Sequence, residues 1–307
     1  MTTLNVINYM KWRKLAAVIS ILLVLGSIGS LVTKGLVLGL DFTGGTQIEV
    51  GFENDTDLGK IRSQLVAAGF ESPVVVHFGS QRDVLVKFQA QPDAGLEERI
   101  VSALSAEGEQ VDLRRVEFVG PQVGEELRDD GGLGILVALG LVMLYVSMRF
   151  QYKFAVGAVV GLIHDVIIVV GIFSLLELEV DLTVLAAVLA VIGYSLNDTI
   201  IVYDRIRENF RLIRDADPIQ VINESLTQVL LRTVYTSLTT LFVLFALFYF
   251  GGELIHNFAL ALIIGVVVGT TSSIYVAANI ILGMKISRED LMQKVKVEGV
   301  DEFDGLP

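Results

Sequence analysis

Hydrophobic and polar positions divide this chain into two kinds of segment. Long apolar runs occupy 15–33, 131–148, 154–176, 182–203, a stretch from about 226–233 to 250, and 258–283. A helix of about 20 residues crosses roughly 30 Å of hydrocarbon, so each run predicts a membrane-spanning helix. Between the first and second runs the pattern changes to short elements. Positions 46–52 alternate like a strand, and 57–68 repeat apolar residues at helical spacing through Leu58, Ile61, Leu65 and Ala68 before stopping at Gly69. Two β-rich runs, 74–78 and 84–88, flank Gly79-Ser-Gln-Arg-Asp83, a hairpin signal. A second helix over 96–104, ending near Gly108, and a last strand over 111–119 complete the order β-α-β-β-α-β, the ferredoxin-like split pattern.

The expected fold is therefore a polytopic α-helical membrane protein, with six transmembrane helices and one α+β domain between helices 1 and 2. Its divisions are an N-terminal segment 1–14, helix 1 at 15–33, the α+β domain at 34–130, a five-helix bundle at 131–284 and a polar tail at 285–307. Lys11, Arg13 and Lys14 precede the first apolar run, which is longer than a signal-peptide core and has no small-residue cleavage site after it. We read it as a retained span.

Basic residues set the orientation. Lys11, Arg13, Lys14, Arg149, Lys153, Arg205, Arg207, Arg211, Arg214, Lys285 and Arg288 all fall on one side of the six spans, whereas the opposite short turns at 177–181 and 251–257 hold no Lys or Arg. The positive-inside rule then predicts both termini in the cytoplasm and the α+β domain outside.

Composition agrees: 53% of residues are hydrophobic, too many for an ordinary soluble protein. The chain carries no cysteine, which excludes disulfides, thiolate metal sites and a cysteine nucleophile. Much of the net charge of −12 sits in 34–130, where 18 acidic residues face 9 basic ones, so nucleic acid is not an expected partner. Gly44-Gly45 offers a tight turn but lacks the Gly-Lys-Ser/Thr of a phosphate-binding loop, and no cofactor is expected.

Ionisable residues inside membrane helices are the candidate chemistry, because hydrocarbon tolerates them only in a protein or water-filled interior. Asn197-Asp198 lies on the fourth span, Asp198 being 17 residues from Asp181; Arg232 lies on the fifth, 18 residues before Phe250. Upright helices put both about 26 Å from the outer boundary, so the two are expected to pair. The plainer alternative has Arg232 snorkelling to the headgroups and Asp198 satisfied by Asn197 and Tyr194. A third candidate, His164-Asp165 near mid-membrane on span three, suggests a proton relay or a hydrogen-bonded structural pair. Burial favours a neutral carboxyl and a nearby arginine favours the anion, so a moving arginine can switch a membrane carboxylate. Thr239, Thr240, Thr270, Thr271, Ser272 and Ser273 read as close helix packing.

Taken together, Leu40-Asp-Phe-Thr-Gly-Gly-Thr46, His164-Asp165, Ile192-Gly-Tyr-Ser-Leu-Asn-Asp-Thr199, Asp204-Arg-Ile-Arg-Glu-Asn209, Arg232-Thr233 and Gly269-Thr-Thr-Ser-Ser-Ile274 resemble the SecF family of the bacterial Sec protein-export machinery, over nearly the whole chain. That family resembles one half of the resistance–nodulation–division superfamily. The resemblance implies a complex with a SecD-like subunit, joined to the SecY–SecE–SecG channel in the bacterial inner membrane. It also implies use of the proton-motive force to draw preproteins out on the periplasmic side, with Asp198 and Arg232 as the proton-linked charges. Alternatives are a small-molecule or lipid exporter of the same superfamily, an intramembrane aspartyl protease built on Asp165 and Asp198, and an assembly scaffold.

Overall fold

The computed structural model describes residues 6–89, 95–105, 110–213, 217–287 and 291. Arg214, Arg288, Gly108 and most of the 285–307 tail lie outside the described residues. Among those described, six helical segments are long and apolar enough to cross a membrane: Tyr9–Thr33, Pro121–Arg149, Tyr152–Leu175, Leu182–Leu212, Pro218–Phe250 and Glu253–Gly283. They comprise α1 (Arg13–Thr33), α5 (Pro121–Arg149), α6 (Tyr152–Leu175), α7 (Leu182–Leu212), α8 (Pro218–Phe250) and α9 (Glu253–Ser272), which continues into α10 (Ala278–Gly283).

Helix α7 is central. Its buried positions, including Val184, Ala187, Val188, Val191, Ser195, Asp198, Val202 and Ile206, recur at the three-four spacing of one helical face. That face packs on α6, α8 and α9, while α1 and α5 flank α6. Close approach depends on glycine. A Cβ on Gly265 would lie 2.1 Å from a Val191 methyl, one on Gly269 would lie 3.0 Å from the Ser195 Cβ, and one on Gly171 would lie 2.1 Å from the Ser27 Cβ. Small residues at these crossings let backbones touch, the main source of packing energy where lipid is as apolar as leucine. Between α9 and α10 the backbone widens into a π-helical turn, Ser273–Ala277. The hydroxyl of Tyr203 donates to the Ala277 carbonyl at 3.2 Å, at the end of this turn.

Strands β2 (Gly45–Phe52), β3 (Val74–Phe78), β4 (Ser80–Phe88) and β5 (Val111–Val119) form the α+β domain with α3 (Leu58–Ala67) and α4 (Leu96–Leu104). The sheet order is β3-β4-β2-β5 with antiparallel neighbours. Its core joins Ile48, Val50, Val84 and Val86 of the sheet to Ile61 and Leu65 of α3 and Leu96, Ile100 and Leu104 of α4. On β5 a register shift beside Glu49/Val50 leaves Arg114 unpaired in the ladder, and its guanidinium reaches Asp83 at 2.8 Å.

Several boundaries differ from expectation: α7 runs on to Leu212, α8 starts at Pro218 and α9 at Glu253, each beyond its apolar run, and two further differences change the domain. Helix α5 starts at Pro121, not at Gly131, so the domain proper ends near Gly120. The glycines do not break the helix: Gly131 lies against Leu185 of α7, where a Cβ would come within 2.7 Å of its methyl. The first turns, with Glu125, Glu126, Arg128, Asp129 and Asp130, are exposed and project beyond the apolar stretch. In the hairpin, β4 begins at Ser80, so the expected five-residue loop is a tight turn about Gly79 (φ +78°) with an irregular pair at His77/Phe78. The pattern also gave no sign of β1 (Val37–Leu38), the short α2 (Leu40–Thr43) or β6 (Glu179–Val180), which pairs in parallel with β1.

Candidate functional site

The interior face of α7 brings Asp198 into the bundle, where it is 1% exposed. Neither carboxylate oxygen has a hydrogen-bond partner. The Thr270 hydroxyl lies beside it without a hydrogen bond of good geometry, and Arg232 makes no hydrogen bond to it. Thr270 is engaged elsewhere: its hydroxyl and that of Ser237 on α8 are 2.7 Å apart, and Tyr194 donates to Ser237 at 3.2 Å. Three helices thus converge their hydroxyls beside a carboxylate that uses none of them fully.

Arg232 does not close on Asp198. Among the described residues no ion pair joins the two, which corrects the expected pairing. The guanidinium is exposed on α8 and lines a cavity of about 390 Å³ with Ile201, Asp204, Arg205, Glu208, Gln228 and Val229. The cause is geometric. Depth counted along each helix fixes height but not rotation, and Thr233, not Arg232, is the α8 residue that turns inward. Asn197 is exposed on α7, one position round the helix from Asp198, and points away from the interior of the bundle. Neither Asn197 nor Tyr194 satisfies Asp198.

His164 and Asp165 meet as expected, with Nδ1 and Oδ1 2.8 Å apart. Asp165 is fully buried, and its Oδ2 accepts from Ser195 on α7 at 2.6 Å and from Ser272 on α9 at 2.8 Å. One carboxylate therefore ties three helices. The His164 Nε2 is buried without a partner, beside an apolar crevice between α1 and α6. Because these donors occupy Asp165, it forms no shared-proton dyad with Asp198 among the described residues, which removes the geometry an aspartyl protease needs. Sequence reading missed Ser195, although its place three residues before Asp198 on the same face was the available signal. Thr270 and Ser272 were noted only as small packing residues, yet they touch the two carboxylates.

Such a bundle, with ionisable groups inside and a folded domain on one end, defines a membrane protein of transporter type. Two family profiles match the chain: "Protein export membrane protein SecD/SecF, C-terminal" over residues 100–287 and "SecD/SecF GG Motif" over residues 29–56. "Protein translocase subunit SecF" of Vibrio alginolyticus is 53% identical over 98% of this chain and 97% of its own length. The subunit of the same name from Pseudomonas aeruginosa is 50% identical over 97% and 98%. The crystal structure of SecDF from Thermus thermophilus, a translocon-associated membrane protein, superposes with a TM-score of 0.81 at 38% identity, covering 93% of this chain and 40% of that one. The chain thus spans about two fifths of the longer SecDF polypeptide. It belongs to the SecD/SecF family of protein-export membrane proteins, as a transport component on the SecF side.

Proposed function

We propose that the chain works in the bacterial inner membrane with a SecD-like subunit, using the proton-motive force to promote preprotein export through a SecY–SecE–SecG channel. Both termini lie in the cytoplasm and the α+β domain in the periplasm. The observation that carries this reading is the buried, unpartnered Asp198 beside a polar cavity that holds Arg232. Burial stabilises the protonated form of a carboxyl group, whereas an approaching arginine stabilises its anion. Movement between Asp198 and Arg232 then converts proton binding into a choice between two packings of α7 and α8. One charge crossing 100 mV is worth about 2.3 kcal/mol. His164 and Asp165 form a second ionisable cluster that pins α6, α7 and α9, and Asn197 belongs to the surface that meets a neighbour.

Support for a SecD-like partner comes from the membrane face itself. Asn197 and Arg232 are exposed polar groups toward the inner end of their spans, and a protein neighbour satisfies them better than lipid does. The SecDF neighbour supplies a precedent, since this chain covers only 40% of that longer chain.

The test is preprotein translocation into inverted vesicles with and without an ionophore. Asp198→Asn is expected to leave the protein inserted and partner-bound while abolishing the ionophore-sensitive component. Full retention of that component would exclude Asp198 as the proton site and turn attention to His164-Asp165.

A further inference from the structure

The segment Leu40-Asp-Phe-Thr-Gly-Gly-Thr46 has no part in the proton site, yet it is built with unusual care. The Asp41 carboxylate accepts from the backbone N–H of Leu182 at 3.0 Å. Leu182 opens α7, the helix that carries Asp198. The same first turn is capped from within by Asp181, which accepts from Val184 N–H at 2.9 Å and from the Thr183 hydroxyl at 2.7 Å.

Around this contact the α6–α7 turn is gripped by the domain. Strand β1 pairs with β6, Val37 opposite Glu179 and Leu38 opposite Val180, and Gly39 N–H donates to the Val180 carbonyl at 2.8 Å. The Glu179 carboxylate bonds Lys87 of β4 at 2.9 Å, with the two side chains 27% and 16% exposed. Its carbonyl accepts from Asn257 of α9 at 3.0 Å. On the other side, Gly44 and Gly45 hold φ of +73° and +144°, and a Cβ on Gly44 would lie 2.8 Å from the Pro121 backbone. A Cβ on Gly124 would lie 2.9 Å from the backbone of Phe42. Few side chains other than hydrogen fit these positions.

We infer that Asp41, with the Glu179–Lys87 pair, forms a rigid joint that makes the α+β domain and the adjoining end of α7 move as one body. The inference deepens the proton-coupled reading and rests on it for its consequence. A shift of α7 at Asp198, about 24 Å along the helix from Leu182, is delivered to the domain rather than absorbed in a loop. Asp41 is a positioning residue: it acts through the backbone N–H of Leu182 and makes no hydrogen bond to Asp198.

The experiment uses the full chain with its partner subunits in sealed vesicles and reads two quantities: gradient-dependent preprotein translocation, and proton flux by an enclosed pH-sensitive dye. Asp41→Ala removes the acceptor, whereas Asp41→Asn keeps an oxygen that can accept from Leu182. Asp41→Ala and Lys87→Gln are expected to lower translocation several-fold with flux maintained, and Asp41→Asn to retain most of it. Equal loss of flux and translocation would indicate a merely structural role and overturn the inference, as would full translocation by Asp41→Ala. A disulfide between Leu38→Cys and Val180→Cys, the only cysteines then present in this chain, is expected to preserve translocation; a block relieved by reductant would show that the joint must open and would overturn the inference. If the unmodified complex shows no proton flux, the proton-driven reading fails by itself. The joint is then judged by spin labels at Ser63→Cys and Leu189→Cys. One narrow distance that broadens in Asp41→Ala supports the joint, and an unchanged distribution overturns it.

Discussion

Asp198 and Arg232 show how much a single rotation about a helix axis decides. Matched depth would have allowed a direct pair, but the structure leaves the carboxylate bare and the guanidinium in a polar cavity. Arg232→Lys keeps the charge and loses the planar fork, so gradient-dependent translocation is expected to fall several-fold with normal insertion. Because the two make no ion pair, neutralising either residue alone is expected to leave the amount of membrane-integrated protein unchanged. Asp165 is different in kind, because its donors are already in place. Removing one with Ser195→Ala is expected to destabilise the bundle by about 1–3 kcal/mol, measured by thermal unfolding in detergent. Outside the spans, Lys34 hydrogen-bonds Glu177 at 2.7 Å and holds its carboxyl below the usual range. A lowered folded-state value means this contact contributes above the ordinary carboxylate pKa of about 4.3 and loses its contribution as pH falls through the folded value. Both groups are exposed, so Glu177→Gln should shift the melting midpoint only slightly near neutral pH and not at all in strong acid.

At the scale of elements, packing of α9 against α7 turns on Gly265 and Gly269, a pair four residues apart that faces Val191 and Ser195. Gly265→Leu would drive a branched side chain into Val191, at an expected loss of about 1–3 kcal/mol or more and reduced yield of folded protein. The same change at Gly193, whose Cβ would meet nothing within 4 Å, is the control and should be nearly neutral. The π-turn at Ser273–Ala277 lies just past this contact, and Tyr203→Phe would strip the Ala277 carbonyl of its donor. Long continuous helices also explain the misplaced start of α5. Once a helix is the only way to satisfy backbone groups near hydrocarbon, three glycines do not end it.

For the whole molecule, the α+β domain has its own core and an uninterrupted four-stranded sheet. Residues 45–120 excised alone are expected to unfold cooperatively with a mixed α/β circular dichroism spectrum, and a random-coil spectrum would refute independence. Orientation is open to labelling, since the chain has no native cysteine. A cysteine replacing Ser80 should react with an impermeant reagent from the periplasmic side; reaction from the cytoplasmic side alone would reverse the topology.

The number of spans, the order of the domain's strands and helices, and the identity of the ionisable residues were all legible in the chain. They follow from local rules: apolar run length against bilayer thickness, and periods of two and 3.6 along each element. Strands 74–78 and 111–119 and helix 96–104 fell where their patterns put them. Only the tertiary structure decided which face each helix turns inward, and so which polar groups meet. It sent Asn197 and Arg232 outward, brought Ser195 and Ser272 to Asp165, and joined β1 to β6 across more than a hundred residues. Such contacts depend on the rotation and crossing of helices remote in sequence, set by the shapes of the whole packed bundle, and no local period encodes them.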